Sequence, residues 1–356
     1  MDLNKRIKTF ISLGEFLSFF KKDVEFNDNS NVLLRNHYNS FNNIIKTSYK
    51  KNAWFTEVNA RYAISSISES LKEKNIKKWI KPYIKKFNIN KVSKGVGVVM
   101  AGNIPAVGFH DFLCVLISGN TFVGKLSSQD PELLPVIAKV LIDIEPEFKN
   151  NIEFTDKELS NFDVIIATGS DNTSRYFEYY FGKYPNIIRK NRNGVAVISG
   201  NETQDELRLL GLDIFTYFGL GCRNVSKLFV PRNYSFDKFF EAVKNYENII
   251  EHYKYRNNYD YYKSIYLINK TAHLDNGFLM LKEHKGFGSP ISVVYFEYYE
   301  NKNELNNLLN SNAEKIQCLI SNDKEINSCI SFGKSQSPQL WDYADGIDTM
   351  EFLLGV

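Results

Sequence analysis

The sequence predicts an α/β protein with parallel sheets covered by helices, and three observations support this fold class. Short apolar runs, such as those over residues 96–100 and 225–230, have the length of buried strands. Amphipathic stretches with three- and four-residue steps separate these runs from residue 95 onwards. Strand, loop and helix in this repeated order form βαβ units, whose strands are parallel. The length of 356 residues favours two packed domains over a single core.

The composition excludes several classes of protein. A hydrophobic content of 43% and a charged content of 24% are typical of globular chains, and a net charge of +3 does not indicate nucleic-acid binding. The four cysteines lack the spacing of a zinc site, and with only five histidines no metal is expected. The sequence starts without an apolar signal segment and contains no run of membrane-spanning length. We therefore expect a cytoplasmic protein without stable membrane insertion.

The pattern of the sequence divides the chain into four segments. Residues 1–94 are expected to be helical and to pack on a first α/β domain over residues 95–200. A second α/β domain is expected over residues 201–332, and residues 333–356 form a C-terminal segment.

The clearest helix of the N-terminal region is predicted over residues 71–87. Six side chains recur on one face of this helix, namely Ile76, Trp79, Ile80, Tyr83, Ile84 and Phe87. Lysines occupy the other face, and Pro82 should kink or end the helix. The lysine face is either simply solvated or a docking surface for an acidic carrier protein or a membrane.

Strands and helices alternate in both α/β domains. In the first domain the sequence predicts strands over residues 96–100, 121–126, 163–167 and 195–198. Pro105 suits the first turn of a helix that runs to Ser118, and Asp130 opens the next helix. In the second domain the predicted elements are strands over residues 225–230 and 291–296 and helices over residues 207–218, 236–246 and 304–309.

Cys222 is the most informative residue of the second domain. It lies in a Gly-rich stretch directly before a predicted strand, so that a bend should present its sulfur to a substrate. Arg223 and the backbone N–H groups of the bend would favour the thiolate, which is the nucleophilic form. The side chain of Asn103 is a candidate donor to an oxyanion that forms at Cys222. Taken alone, Cys222 is better described as a buried structural cysteine, and Asn103 as an ordinary turn residue.

Polar residues follow two other strands of the first domain and are candidate cofactor ligands. Lys125 ends the strand over residues 121–126, at the sheet edge where open α/β sheets bind ligands. A turn that precedes a helix can hold phosphate through its N–H groups, and this turn consists of Thr168, Gly169 and Ser170. An ordinary strand-end lysine and an ordinary helix cap are the alternatives. The dinucleotide fingerprint G-x-G-x-x-G after a strand is absent from the sequence.

In their order and approximate spacing these residues resemble the aldehyde dehydrogenase superfamily. Five motifs between residue 95 and the C-terminus carry the resemblance: Asn103-x-Pro105, Gly119-Asn120-x-x-Val123-x-Lys125, Thr168-Gly169-Ser170, Gly219-x-Gly221-Cys222 and Phe287-Gly288-Ser289-Pro290. A narrower resemblance, to the LuxC-type fatty acyl-CoA reductases, rests on Asn103-Ile104-Pro105, Gly221-Cys222-Arg223 and Trp341-Asp342-Tyr343.

The resemblance implies an aldehyde-dehydrogenase-like fold with a Rossmann-type dinucleotide-binding domain over residues 95–200 and a catalytic domain over residues 201–332. It implies Cys222 as the nucleophile and Asn103 as the oxyanion donor. Lys125 and the turn over residues 168–170 become the cofactor ligands. Ser127 and Ser128 follow Lys125 without an acidic neighbour that would hold an adenine ribose, which favours NADPH, with NADH as the alternative.

The sequence departs from the family pattern at two positions. Hydrolytic members carry a glutamate general base before the strand over residues 195–198, whereas residues 189–194 here contain no carboxylate. Lys285 stands where members commonly have another glutamate. Without the first glutamate an acyl-enzyme persists long enough to react with a thiol or to accept hydride. The sequence therefore predicts NADPH-dependent reduction of a long-chain acyl-CoA to an aldehyde through an acyl thioester on Cys222.

Other functions remain compatible with the sequence. A cysteine acyltransferase or thioesterase would use Cys222 without a redox step, and an ordinary dehydrogenase would oxidise aldehydes. A non-catalytic binding subunit is a further alternative. The acyl donor is acyl-CoA, an acyl carrier or an acyl-adenylate, and a homodimer is the expected assembly.

Overall fold

The computed structural model describes residues 1–21, 32–87, 92–326 and 328–356, and it divides the chain into two compact units. The first unit comprises residues 1–190 and 339–356, and the second comprises residues 191–338. The helical N-terminal region and the first α/β region thus belong to one unit, to which the C-terminal segment returns. Within the described residues, no helix combines the length and the apolarity needed to cross a membrane.

The described part of the N-terminal region forms five helices: α1 (Leu3–Ser18), α2 (Val32–Thr47), α3 (Glu57–Ser70), α4 (Glu73–Ile80) and α5 (Ile84–Phe87). Side-chain caps fix two of their starts, since Asp2 accepts from the N–H of Lys5 and Thr56 from that of Asn59. The helix predicted over residues 71–87 is present but interrupted by a 3₁₀ turn at Pro82, as the missing proline N–H requires. Ile84, which follows this turn and which the sequence places on the packed face, is 50% exposed.

The first unit contains a five-stranded sheet in which every strand is parallel to its neighbours. Its strands are β1 (Gly95–Val99), β2 (Thr121–Lys125), β3 (Ile152–Thr155), β4 (Val164–Thr168) and β5 (Asn186–Arg189), and the helices between them are α6 (Phe109–Ser118), α7 (Leu133–Ile144) and α8 (Asp171–Phe181). The strand order is β3-β2-β1-β4-β5. The order reverses between β1 and β4, which is where sheets of this kind bind ligands outside the carboxyl ends of the strands.

The second unit is built on a six-stranded sheet of order β11-β6-β7-β10-β9-β8. Its elements are β6 (Asn193–Val197), α9 (Gln204–Phe215), β7 (Val225–Pro231), α10 (Asp237–Val243), α11 (Tyr253–Ile268), β8 (Leu274–Asp275), β9 (Met280–Glu283), β10 (Val293–Tyr299), α12 (Lys302–Ser311) and β11 (Ile316–Ile320). Only β8 is antiparallel to its neighbour among the strands described. The expectation that the strand at residues 195–198 belongs to the first domain is wrong, because β6 pairs with β7 and β11.

The C-terminal segment ends in α13 (Thr349–Gly355), which packs in the first unit. The aromatic run that precedes α13 holds the segment against α4. Trp79 donates from Nε1 to the Tyr343 hydroxyl at 2.7 Å, and Lys78 lies 3.7 Å from the centre of the Trp341 ring. The unusual run around Trp341 is therefore a packing surface for the N-terminal helices.

A buried ion pair connects three elements of the first unit. Arg189, at the end of β5, donates from its two terminal nitrogens to both carboxylate oxygens of Asp111 at 2.6 and 2.8 Å. The same side chain donates to the Thr349 hydroxyl at 3.0 Å and so reaches α13. Burial alone would raise the pKa of Asp111, but the adjacent guanidinium lowers it below its usual value. Both groups therefore stay charged inside the core.

Breaking this pair should destabilise the first unit strongly. We expect Arg189→Met to lower the free energy of unfolding by about 3–5 kcal/mol, because it leaves a buried carboxylate without its partner. The loss of free energy of unfolding in the double variant Asp111→Leu/Arg189→Met should be clearly smaller than the sum of the losses in the two single variants. Urea unfolding of the four proteins measures the coupling, with the exposed pair Glu73–Lys77 as the control. Additive losses at Asp111 and Arg189 would contradict this account.

Candidate active site

Cys222 lies in the second unit, in the turn that connects α9 to β7. After α9 the chain passes through three consecutive left-handed residues, with φ of 55° at Tyr217, 59° at Phe218 and 79° at Gly219. Two of these are not glycine, and a left-handed conformation of bulky residues is unfavourable unless the surroundings impose it. The turn ends with Cys222 exposed, immediately before β7. The sequence-based expectation of a presented cysteine therefore agrees with its exposure.

Asn224 holds this turn in place. The residue is buried, and its Nδ2 lies 2.8–3.3 Å from the carbonyl oxygens of Asp213, Ile214 and Thr216 at the end of α9. Its Oδ1 accepts from the N–H of Gly221 at 2.8 Å, and its own N–H donates to the Gly221 carbonyl at 2.9 Å. One amide side chain thus satisfies the backbone on both sides of the left-handed residues, which compensates for their unfavourable conformation.

Two further contacts fix the segment that follows Cys222. Gly194 of β6 packs directly against this segment. A Cβ at position 194 would lie 2.5 Å from the Asn224 carbonyl oxygen, so that only glycine allows this approach. Arg223 donates from Nε to the carbonyl of Ser335 at 3.0 Å. Asp213 is buried in α9 and accepts from the N–H of Ser335 at 2.9 Å. The donor Nε of Arg223 thus serves to hold the loop, a role that the sequence analysis did not foresee.

In the first unit, Asn103 lies in the loop that leaves the carboxyl end of β1, and its side chain is exposed. The loop contains a left-handed non-glycine residue, Ala106, with φ of 54°. The N–H of Ala106 donates to Oδ2 of Asp130 at 2.7 Å, and Oδ1 of Asp130 accepts from Leu133 at 3.4 Å. A Cβ on Gly102 would lie 2.3 Å from Oγ of Ser127. The loop that carries Asn103 is therefore locked against the loop that follows β2.

The candidate cofactor ligands Lys125, Ser127 and Ser128 lie at the carboxyl end of β2. Lys125 is the last residue of the strand and pairs with Val99 of β1. Ser127 accepts from the N–H of Gln129 at 3.2 Å, and Ser128 is exposed. These side chains are thus accessible or half-accessible at one edge of the sheet.

The turn over residues 168–170 lies at the same edge. Thr168 is the last residue of β4, and the N–H of Gly169 donates to the carbonyl of Arg189 at 3.3 Å. Ser170 caps α8 by accepting from the N–H of Thr173 at 3.3 Å, and its hydroxyl lies 2.9 Å from that of Thr173. The structure thus places all candidate ligands of the first unit along the carboxyl ends of β1, β2 and β4.

The residues that hold these loops carry little signal in the sequence. Asn224 stands two positions after Cys222, but its buried amide could be recognised only from the carbonyls around it. Asp130 was interpreted as a helix cap, whereas its second oxygen holds Ala106. The sequence around Arg189 shows only that residues 189–194 lack a carboxylate, not that Arg189 binds Asp111. Among the described residues, no group of histidine, cysteine and acidic side chains has the arrangement of a metal site.

Comparison with known proteins places the fold but not the family. No family model and no curated protein matches the sequence. Among solved structures, an aldehyde dehydrogenase from Physcomitrella patens in complex with succinate has a TM-score of 0.66 at 12% identity, covering 100% of this chain and 84% of that one. An aldehyde dehydrogenase from Bacillus cereus in complex with NAD⁺ has a TM-score of 0.61 at 12% identity, and the match covers 91% of this chain and 73% of that one. An NADP-dependent enzyme from E. coli has a TM-score of 0.63 at 12% identity, and the match covers 91% of this chain and 74% of that one.

These likenesses confirm the predicted fold class. The protein has the aldehyde dehydrogenase fold, with a Rossmann-type parallel sheet in its first unit.

Removing the Asn224 amide should release the Cys222 turn. We expect Asn224→Ala to lower the free energy of unfolding by about 2–4 kcal/mol, because Gly221 and three carbonyls lose their buried partner. The alkylation rate of Cys222 by iodoacetamide, followed by peptide mass spectrometry, should change at least several-fold. Asn306→Ala, at an exposed position of α12, is the matched control. Unchanged stability and alkylation in Asn224→Ala would show that the amide does not hold the turn.

Asp130 should make the stability of the first unit depend on pH. Burial raises its pKa from 3.8 to about 6, against hydrogen bonds that lower it. The stabilisation from the protonated carboxyl is complete below pH 4 and is lost as the pH rises through about 6. As the pH rises from 4.5 to 7, the free energy of unfolding of Asp130→Asn should therefore increase by about 2–3 kcal/mol relative to that of the wild type.

Urea unfolding at several pH values measures this difference, and Asp156→Asn at an exposed position is the control. A difference between Asp130→Asn and the wild type that stays constant with pH would contradict the raised pKa.

Proposed function

We propose that this protein is an acyl-CoA reductase of the LuxC type, which converts an activated acyl thioester to an aldehyde through an acyl-enzyme on Cys222. The observation that carries the proposal is the exposed cysteine on a left-handed turn, held by a buried asparagine, in a chain with the aldehyde dehydrogenase fold. A turn of this kind presents a sulfur without the mobility of an ordinary loop. Nucleophilic catalysis requires that combination of access and fixed position.

In the proposed first step, Sγ of Cys222 attacks the carbonyl carbon of the acyl thioester. The carbonyl π pair becomes an oxyanion, and the C–S bond to the donor thiol then breaks, so that the donor leaves as a thiolate. The backbone N–H of Cys222 is one proposed donor to the oxyanion. The resemblance in motif order assigns the second donation to the side chain of Asn103. The product of the step is an acyl thioester on Cys222.

The segment after β5 supports a reductase over a hydrolytic enzyme. Its residues 189–194 contain no carboxylate. Arg189 points into the core of the first unit, where it binds Asp111, and Lys190 forms an ion pair with Glu178 at 3.0 Å. This segment therefore offers no general base that would activate water against the thioester. The proposed acyl-enzyme persists for reaction with a thiol or with hydride.

The residues at the carboxyl edge of the first sheet fit a nicotinamide dinucleotide. The first turn of α8 offers N–H groups and the hydroxyls of Ser170 and Thr173 to a pyrophosphate, and Lys125 offers a positive charge at the end of β2. Ser127 and Ser128 carry no charge, and the nearby carboxylate of Asp130 is buried and bound to backbone N–H groups. This edge therefore favours NADPH over NADH. A bound nicotinamide would supply the hydride that reduces the thioester to an aldehyde, which restores the Cys222 thiol with one proton.

The proposal is tested by cofactor oxidation with acyl-CoAs of graded chain length. We expect the wild type to oxidise NADPH faster than NADH while releasing equimolar CoA and aldehyde. Cys222→Ser should lower kcat/KM at least about 10³-fold, and Asn103→Ala should lower kcat about 10²–10³-fold. Cys329→Ser, a cysteine outside the turn, is the matched control and should keep the activity.

Two results would contradict the proposal. CoA release that depends on Cys222 but proceeds without cofactor oxidation would indicate an acyltransferase or thioesterase. Equal turnover by the wild type and Cys222→Ser would remove the nucleophile from the mechanism altogether.

A further inference from the structure

The first unit contains a cavity at the end of its sheet opposite to the candidate cofactor ligands. Its volume is about 1010 Å³, which is large enough for a ligand of the size of a nucleotide or a lipid. It is bordered by the start of α1, by α4 and α5, and by the connection between α6 and β2 at Gly119 and Asn120. Because these two residues precede β2, the cavity faces the amino end of that strand. The candidate cofactor ligands lie at the opposite, carboxyl end.

Arg6 is the unusual residue of this cavity. Its Nε is buried and has no hydrogen-bond partner among the residues that the structure describes. The guanidinium lies 6.0 Å from the centre of the Phe87 ring and forms no ion pair within the described residues. Burial lowers the pKa of Arg6, partly offset by the charge of Asp2. A buried, unpaired guanidinium nitrogen is unfavourable, since such groups normally bind a carboxylate, a phosphate or a carbonyl.

The backbone next to Arg6 leaves space for this guanidinium. Gly119 has φ of 90°, and a Cβ at that position would lie 2.1 Å from Nη1 of Arg6. Any other residue at position 119 would therefore both strain the backbone and displace the arginine. The guanidinium is thus held at the wall of the cavity by packing and not by hydrogen bonds.

The charge of the cavity is positive. Four cationic side chains line it, those of Arg6, Lys77, Lys81 and Lys86, against the single carboxylate of Asp2. Lys77 is paired with Glu73, and Lys86 with Glu351. Lys81 forms no ion pair in the part of the chain that the structure describes, so that Arg6 and Lys81 remain available to an anion.

The lining also has uncharged polar residues, namely Asn4, Ser93, Ser118 and Asn120, and a larger apolar part. The apolar side chains include Leu3, Ile7, Ile80, Ile84, Phe87 and Val92. An inorganic anion would contact only the cationic part of such a cavity, and a hydrocarbon only the apolar part. We infer that the cavity binds an anionic amphiphile, with an oxyanion head at Arg6 and Lys81 and an apolar chain along Ile7, Ile80 and Phe87.

Calorimetric titration tests this inference with dodecanoate and dodecyl phosphate below their critical micelle concentrations. Both should bind at one site per chain, and dodecyltrimethylammonium, which has the same chain and a positive head, should not. Arg6→Gln and Lys81→Gln should each weaken binding at least about tenfold. Lys74→Gln, in α4 directly before the turn of Lys81 but outside the cavity lining, is the control and should bind as the wild type does.

A second measurement separates ligand binding from a structural role of Arg6. Since Nε of Arg6 has no hydrogen-bond partner within the described ranges, Arg6→Gln without ligand should unfold at the same temperature as the wild type or higher. A lower unfolding temperature of Arg6→Gln would overturn the inference, as would binding of dodecyltrimethylammonium equal to that of dodecanoate. Absence of stoichiometric binding would overturn it too, including the case in which the protein only adsorbs to vesicles of anionic lipid. None of these outcomes depends on the proposed reductase activity.

Discussion

The hydrogen bonds of Asn224 are the constraint on which the candidate active site depends. Two non-glycine residues in the left-handed conformation would not persist in a solvated loop. They persist here because one buried amide binds the end of α9 on one side and Gly221 on the other. Gly194 has no side chain and therefore allows β6 to pack closely against the backbone of Arg223 and Asn224. The exposure of Cys222 is thus a consequence of buried polar contacts and not of a loose loop.

The first unit uses a similar device in the loop of Asn103. Ala106 is left-handed, and a buried carboxylate, that of Asp130, accepts its N–H. The two units thus each present an exposed polar or nucleophilic side chain from a loop that a buried neighbour fixes. In either unit, a fixed loop of this kind suits the stabilisation of charge in a transition state, because little reorganisation is needed when the charge appears. The proposed reductase mechanism uses both loops.

Most strands and helices could be predicted, because their apolar periodicity is local. The five-part order of motifs also predicted the fold, which the likeness to solved structures confirms. β3 and β5 were missed because each has only four residues, and β6 was grouped with the wrong sheet because strand pairing is not local. Asn224, Asp130 and Arg189 were not recognised for the same reason. Each acts through partners that only the fold brings near, such as Asp111 and Arg189, which are 78 positions apart.

The most direct test of the proposed function is the intact mass of the protein after mixing with an acyl-CoA in the absence of cofactor. The account predicts an increase equal to one acyl group, located on the Cys222 peptide and absent from Cys222→Ser. Subsequent addition of NADPH should remove this mass and release the corresponding aldehyde. An unmodified protein, or an adduct that water removes as the free acid at the same rate with and without NADPH, would contradict the account.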